Sequence, residues 1–282
     1  MNLATILGCF DDLLPFPVSM ERANERPAIR HDSLTHSPII DKIAIEEPLN
    51  TSSNRPDRTL YGSLMRTPGN DLELIIGMLI SSGDLLIDEN IPEIDIQENC
   101  AHVSINSTNS NRIIDGTSAC GLCGREEVKI QPLSDCDSMP DYTIESEIIH
   151  KIISNIGENQ NLFELTGGTH AAASWNKEGI MTSIMEDVGR HNALDKLIGL
   201  HRMKNDWPLS EYIITLSGRI SYEMVEKAVR SNVGILISVG SATTAAIDLA
   251  TFHNLTLIVF ARDQRFTCMT GGHRINIADA VK

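Results

Sequence analysis

Apolar residues fall into short runs separated by polar and glycine-containing breaks, and their spacing differs between the two halves of the chain. Residues 20–36, "MERANERPAIRHDSLTH", show no apolar period and read as an arm or linker. From Asp41 a pattern begins. "DKIAIEEPLN" alternates enough for a short strand, and "TPGNDLELIIGMLISSG" predicts a helix with Asn70 or Asp71 near its N-cap and Gly83 beyond its end. Residues 99–106 and 126–131 predict two further short strands, and this first part reads as α+β.

The second half has a regular rhythm. Ile144, Ile148, Ile149, Ile152, Ile153 and Ile156 recur at helical spacing as a core-facing stripe, with Gly157 placed to serve as the C′ residue. A strand is expected near 180–186 and a helix near 190–203, with Leu194, Leu197 and Ile198 on one face. Strands at 212–216, 235–239 and 255–260 then alternate with helices at 221–232 and 242–253. Such alternation predicts an α/β fold with a mostly parallel sheet, whose ligands sit beyond the carboxyl ends of its strands. The expected organisation is an N-terminal arm over 1–40 that need not be ordered throughout, an α+β region over 41–140, and an α/β domain over 141–282.

Composition narrows the function classes. The 282 residues are 41% hydrophobic and 22% charged, which are globular values. The nearest approach to a membrane span, "LELIIGMLI" at 72–80, is half the length such a span needs and contains a glutamate. The first residues lack a basic n-region, and Asp11 and Asp12 interrupt their apolar character, so no secretory signal is read and the cytoplasm is the default location. A formal charge of −15 opposes unassisted binding to nucleic acid or anionic lipid. Six cysteines, only two of them close together, do not make a disulfide framework.

Those two are Cys120 and Cys123, in "GTSACGLCGREE". A CxxC serves metal binding, dithiol redox or sulfur carriage through a thiolate, and it is also compatible with two unreactive cysteines in a turn. A closed zinc site needs four ligands, and Cys9, Cys100, Cys136 and Cys268 supply no second pair. Thioredoxin-type redox normally sets the motif at a helix N-terminus after a strand, whereas "GREEVKIQ" reads as a turn into a strand. A persulfide carrier must reach two different active sites, which suits a loop flanked by glycines. Arg125 favours a thiolate, while Glu126 and Glu127 oppose one.

The surrounding motifs are more specific than the CxxC. In order they are "EEPL" (46–49), "MRTPGND" (65–71), "ACGLCG" (119–124), "FELTGGTHAAA" (163–173), "EDVGRHNALDKLIG" (186–199), "SGRISYEMVEKA" (217–228), "GSATTAAIDLA" (240–250) and "TLIVFAR" (256–262). This run, from about Asp41 to the C-terminus, resembles the FdhD family of sulfurtransferase accessory proteins for formate dehydrogenase. The resemblance implies a sulfur carrier that takes persulfide sulfur from a cysteine desulfurase. Its acceptor would be the molybdenum (or tungsten) bis(molybdopterin guanine dinucleotide) cofactor, bound as a substrate before it enters the formate dehydrogenase catalytic subunit. It further implies a homodimer, a C-terminal domain similar to the cytidine deaminase fold, and no tightly bound metal. Cys120 corresponds to the family's usual persulfide carrier, with Cys123 as the second cysteine of its loop. Two positions depart from the family pattern, with Thr243 in place of a proline and Val259 in place of a glycine. Deaminase chemistry is not implied, because alanine stands two residues after His170 and Ala119 precedes Cys120, so the H-x-E and P-C-x-x-C elements are missing.

The same resemblance places cofactor contacts in the segment Phe260, Ala261, Arg262, Asp263, Gln264 and Arg265, after the last strong strand. Arg262 and Arg265 suit a diphosphate and Phe260 suits stacking on guanine, although a solvated turn with two surface arginines fits the residues equally well. Gly218 and Arg219 lie between a strand and a helix, with Ser221 as a candidate N-cap, so this turn serves an anion or simply caps the helix. "TGGTH" admits close backbone approach to a ligand, but a structural turn at a helix start is the commoner use. His191 reads as a capped core histidine more readily than as a ligand contact, and the remaining cysteines as structural or incidental. Two other functions compete: a non-catalytic chaperone for the cofactor, and a thiol–disulfide oxidoreductase.

Overall fold

The computed structural model describes residues 21–54, 62–104, 133, 136 and 139–276. Its first element is a hairpin of β1 (Ala23–His31) and β2 (His36–Ala44), paired antiparallel along their whole length. The stretch 20–36, read as an arm or linker, thus contributes from residue 23 onward to a hairpin, and the expected boundary at residue 40 falls inside its second strand. The sequence carries no period here because both hairpin faces are open to solvent, leaving Ile29 and Ile40 exposed. The hairpin is anchored at its base, where Arg22 donates to the Glu186 carbonyl at 2.8 Å.

Next comes a four-stranded sheet in the order β4-β3-β6-β5, made from β3 (Glu47–Ser53), β4 (Ser63–Arg66), β5 (Glu93–Gln97) and β6 (Cys100–Ser104). Helix α1 (Asp71–Ser82) interrupts it, ending at Gly83 in the left-handed conformation as expected. Arg66 is fully buried and binds both Asp71 carboxylate oxygens, at 2.9 and 3.0 Å, and Asn99 Oδ1 at 2.7 Å. One side chain thus fixes the end of β4 to the start of α1.

A short strand β7 (Ile144–Glu145) leads into α2 (Ser146–Asn155) and then α3 (Asn161–Thr166). The isoleucine stripe packs as expected, with Ile149, Ile152 and Ile153 buried. Gly157 does not adopt the left-handed cap conformation, and α2 ends at Ile156 with right-handed geometry. There follow β8 (His170–Trp175), β9 (Met181–Asp187), α4 (Arg190–Met203), β10 (Ile213–Leu216), α5 (Tyr222–Arg230), β11 (Ile235–Ser238), α6 (Thr244–Phe252), β12 (Thr256–Arg262), β13 (Arg265–Thr270) and β14 (Ile275–Asn276).

The main sheet has six strands in the order β13-β12-β11-β10-β8-β9. Only β10, β11 and β12 are mutually parallel, while β8, β9 and β13 run antiparallel to their neighbours. The expectation of a mostly parallel sheet is therefore corrected to a mixed one. The cause is connection length: β8–β9 and β12–β13 are joined by direct hairpins, which a parallel pair cannot use. In the central strands successive residues go to opposite layers. Leu236 and Leu257 join the cluster beneath α4, α5 and α6, while Ile235, Ile237 and Ile258 join that beneath α2. Both faces are covered, which explains the unbroken apolar runs "ILIS" and "LIV".

One cluster of buried side chains runs from Leu49, Leu74 and Val103 through Leu194 and Val229 to Leu257. Its tightest seam is α1 against α4. A Cβ on Gly77 would overlap the Asp195 carbonyl, and one on Gly199 would overlap the Glu73 carbonyl. Glycine is required at both positions because each helix lies directly on the other's backbone.

Candidate functional site

Topology gathers several loop ends at one edge of the main sheet. Strands β10, β11 and β12 all end there, and because β8 is antiparallel to β10 its first residue, His170, begins there. His170 pairs with Asp187, so β9 ends at the same edge and hands over to the N-terminus of α4. The α5 and α6 N-termini follow β10 and β11 directly. This is the edge at which open α/β sheets hold ligands.

The loops are held by close backbone contacts. A Cβ on Gly218 would meet His170 Nδ1 at 3.2 Å and Arg190 Cδ at 3.7 Å, so the turn after β10 lies against both side chains. A Cβ on Gly240 would meet the Arg219 backbone at 3.1 Å, and the Phe260 amide donates to the Gly240 carbonyl at 2.9 Å. Phe260, Gly240, Arg219, Gly218, His170 and Arg190 therefore form a continuous rim. Ser217 donates or accepts at His170 Nδ1 (3.3 Å) and accepts from the Ala171 amide (2.8 Å). Burial pushes the His170 imidazole below its ordinary range, and the charges of Arg190 and His191 push it the same way, against Asp187.

Beneath this rim lies a buried latch. Asp187 is fully buried; its Oδ2 meets Lys196 Nζ at 2.7 Å and the Thr67 amide at 3.1 Å, and its Oδ1 accepts from the Gly189 amide and from Asn192. Lys196, equally buried, also donates to the Thr67 carbonyl at 2.8 Å. Asn192 reaches the Met65 carbonyl, and the Val188 amide donates to Thr67 Oγ1. The motifs "MRTPGND" and "EDVGRHNALDK" thus bind each other and fix where α4 begins. His191 is buried against Glu223 (3.0 Å), so the reading of it as a core histidine holds.

The segment Phe260–Arg265 is not a loop beyond the last strand. Phe260, Ala261 and Arg262 belong to β12, Arg265 opens β13, and only Asp263 and Gln264 form the turn, both in the left-handed conformation. Two residues at positive φ suit a tight hairpin, and neither is the glycine or asparagine that would have signalled it. Phe260 also has a positive φ of 52° at a bulge between Val259 and Arg262, is 43% exposed, and is thereby presented at the rim. Ala261 is buried in the layer beneath α2. Gln264 donates to Ser154 on α2, and Arg265 lies 3.8 Å from Asp263. Arg262 is exposed. The segment divides into a rim residue (Phe260), a core residue and a solvated tip.

"TGGTH" also differs from expectation. Gly167 ends α3 in the left-handed conformation, and His170 starts β8, so the turn follows a helix instead of preceding one. Glu186 accepts from the Leu162 and Phe163 amides and from Thr169, and so pins this turn to β9.

Cys120 and Cys123 lie outside the described residues. Of the other cysteines, Cys100 and Cys268 are free thiols, and burial pushes the Cys268 thiol up. Among the described residues no group of three or more His, Cys, Asp and Glu side chains is arranged to hold a metal ion. No helix among them is long and apolar enough to cross a membrane.

A sequence model of the FdhD/NarQ family matches residues 44–276. The chain belongs to the FdhD/NarQ family. Among the family's proteins, the sulfur carrier protein FdhD of Sulfolobus acidocaldarius is 36% identical over 242 residues, 84% of this chain and 92% of its own length. That of Sulfurisphaera tokodaii is 34% identical over 238 residues, covering 83% of this chain and 92% of the relative. That of Streptomyces avermitilis is 32% identical over 286 residues, covering 93% and 99%. The fold matches the crystal structure of a protein from Desulfotalea psychrophila described as a formate dehydrogenase accessory protein. The TM-score is 0.72 at 23% identity, over 90% of this chain and 99% of that one. The family match begins at Ala44, where the β1–β2 hairpin ends.

Proposed function

We propose that this protein carries sulfur for the maturation of formate dehydrogenase, with Cys120 as the residue that bears it. The observation that carries the reading is the family match over 44–276, joined by relatives named sulfur carrier proteins across most of their length. Cys120 and Cys123 stand in the glycine-flanked pair that such a carrier needs.

In this reading the Cys120 thiolate attacks the outer sulfur of a cysteine desulfurase persulfide. A new S–S bond forms on Cys120, and the donor leaves as a thiolate. Delivery follows when the Cys123 thiolate attacks Cys120 Sγ. The Cys120–Cys123 disulfide forms, and the outer sulfur departs with the bond's electron pair as hydrosulfide, captured by the molybdenum bis(molybdopterin guanine dinucleotide) substrate. The two electrons come from the dithiol, and a cellular thiol reductant restores it. The cofactor then passes to the formate dehydrogenase catalytic subunit. The same reading takes the protein as a cytoplasmic homodimer with a cytidine deaminase-like C-terminal domain, and takes Phe260 as the platform for a guanine base.

Mass spectrometry after incubation with a desulfurase and cysteine tests this directly. One sulfur atom, removable by reductant, is expected on the peptide containing Cys120, and Cys120→Ala should abolish both that mass and formate dehydrogenase maturation. Cys123→Ala should slow release more than loading. Sulfur loading and maturation that survive Cys120→Ala would sink the assignment of Cys120, and maturation that survives the loss of both Cys120 and Cys123 would leave the cofactor chaperone as the better description.

A further inference from the structure

The β1–β2 hairpin is held at its foot, where Arg22 donates to the Glu186 carbonyl and a Cβ on Gly168 would meet Ala44 Cβ at 3.4 Å. Beyond the foot its side chains are sorted by face. The Asp32 amide donates to the Thr35 carbonyl at the tip and the Ile45 amide to the Arg22 carbonyl at the foot, both at 2.9 Å. These bonds set the hydrogen-bonded pairs at the even-numbered residues of β1. The odd-numbered residues then form the non-bonded pairs, whose side chains lie closest together. On that face Pro27 stands opposite Ile40, Ile29 opposite Pro38, and His31 opposite His36, whose rings are 5.7 Å apart. Ile29 is 62% exposed and Ile40 71%, so the hairpin carries an apolar face into solvent.

The edges of the hairpin are poorly suited to binding. At non-bonded positions the backbone nitrogen points outward, and Pro27 and Pro38 carry no hydrogen there, so each free edge lacks a donor that strand addition needs. The face remains, and a two-stranded ribbon is marginally stable until its apolar face is covered. Charge indicates the cover. Residues 21–44 carry four basic and four acidic side chains, so the net charge of −15 lies wholly outside the hairpin. Two copies of the chain repel through their bodies, and these neutral projections are where they can approach. Area agrees. Nine residue pairs at about 3.3 Å, on a ribbon about 10 Å wide, give a face of roughly 300 Å². Two hairpins engaged reciprocally bury about four such surfaces, roughly 1,200 Å², which reaches the range of stable interfaces; one hairpin on a foreign protein buries about half that.

We propose that the β1–β2 hairpin is an arm by which two copies of this chain hold each other. The face of Pro27, Ile29, Pro38 and Ile40 on one copy covers Ile43, Phe163 and Leu165 of the second copy, and the second copy's arm makes the same contact in return. Those three receiving residues are apolar and exposed, with Ile43 at the foot of the arm and the other two on α3, which packs beside it. In a two-fold arrangement the arms run antiparallel, so the outer half of each lies over the foot of the other, and the contact closes on itself without forming a chain of copies. The arm precedes the residues that the family model matches, which begin at Ala44. The inference rests on the reading of the protein as a homodimer and assigns the surface that makes it.

Sedimentation equilibrium of the full-length chain over a dilution series tests the surface. The unaltered chain should form a dimer. Ile29→Thr/Ile40→Thr keeps β-branched residues in the arm but removes apolar area at four places per dimer, and should weaken association at least tenfold. Phe163→Gln/Leu165→Gln, on the receiving side, should do the same. Ile180→Thr, at an exposed position between β8 and β9, should change the dissociation constant by less than twofold. Hydrogen exchange on the unaltered chain needs no variant, and amides of residues 23–44 should exchange more slowly in the dimer than in the monomer reached by dilution. A dimer that both double variants leave intact, or arm amides equally fast in the two states, would overturn this surface and leave the homodimer reading in place. A chain that stays monomeric throughout would overturn both. Sulfur loading on Cys120 is read separately by mass.

Discussion

Strand β8 and helix α4 run side by side and carry a histidine cluster at each end. At one end His201 Nε2 lies 2.8 Å from Ser174 Oγ, and its Nδ1 lies 3.1 Å from Asp206 Oδ2. The connectivity is that of a hydrolytic triad. At the other end His170 lies beside Ser217 and Arg190. Ser174 and His170 share a strand face, since they are four residues apart and side chains alternate. Their surroundings differ in one respect. Ser174 is 0% exposed and bonds also to Thr182, so no substrate reaches its hydroxyl, and every named polar atom of the cluster has a partner. The His170 end is open, and its arginine is unsatisfied. A triad of the right residues in a sealed place stabilises the fold, while a less familiar group with an unbalanced charge at an open edge is the better candidate for a ligand.

The contrast is sharpest at the latch, where the largest effect is expected. Replacing Lys196 by methionine would leave the Asp187 carboxylate buried and without its counter-charge, which costs about 3–5 kcal/mol in comparable buried pairs. Asp187 keeps its amide donors, so the lower end of that range is expected in urea unfolding. A cost below about 1 kcal/mol would show that the latch is not what fixes α4. Anion binding at the rim should weaken as well, because Asp187 and Gly189 set where Arg190 points.

A smaller loss is expected at the sealed triad. His201→Ala removes a buried ring and leaves a cavity beside Asp206, for about 2–3 kcal/mol. Pyrophosphate affinity should stay within twofold, because the cluster lies at the far end of α4. The pH dependence carries the sign of a depressed imidazole. Burial holds His201 below its ordinary value, against Asp206, so the unfolded chain binds the proton first. Stability is then fully present above about pH 6.5 and falls as the pH drops below that value. Denaturation midpoints from pH 7.5 to 5 should fall less steeply in His201→Ala than in the unaltered chain. Equal slopes would place the acid sensitivity elsewhere.

The same contrast between sealed and open explains what was readable in the residues. Strands β10 to β12 and their helices were legible to within a few residues, because layers on both faces demand apolar runs with helical stripes between them. The hairpin β1–β2 was not, since it buries neither face. Strand β8 was missed because "HAAASW" is small and almost wholly buried, so it shows no alternation, and its glycine-rich approach suggested a turn. The antiparallel edge β12–β13 was misread because the turn Asp263–Gln264 contains no glycine. At the site, Arg219 and Phe260 were visible from their place after strands. Arg190 was visible only as part of a motif, because its lack of a partner is a fact of packing. Lys196 was likewise visible only inside a motif, because its burial against Asp187 is a fact of packing.

The smallest effect on stability, and the most discriminating for the open cluster, is expected at His170. The ring is part-buried at the edge, so His170→Gln should shift the thermal midpoint by little, whereas the pH dependence of anion binding should change. In the free protein, burial and the charges of Arg190 and His191 disfavour the imidazolium, and Asp187 opposes them. Ser217, the nearest polar neighbour, carries no charge. A bound diphosphate would offset the arginine field and favour the proton, raising the imidazole's pKa in the complex above its value in the free protein. Binding would then take up a proton, and affinity should rise on acidification, by at most tenfold per pH unit for a single group. Protonation of the phosphate itself acts in the opposite direction and is common to both proteins. The informative quantity is therefore the ratio of unaltered to His170→Gln affinity for pyrophosphate, measured by calorimetry from pH 8 to 5.5. A ratio that climbs on acidification places His170 against the anion. A flat ratio, with Arg190→Gln still damaging, would confine the site to the arginines and leave His170 as a packing residue like its counterpart at the sealed end.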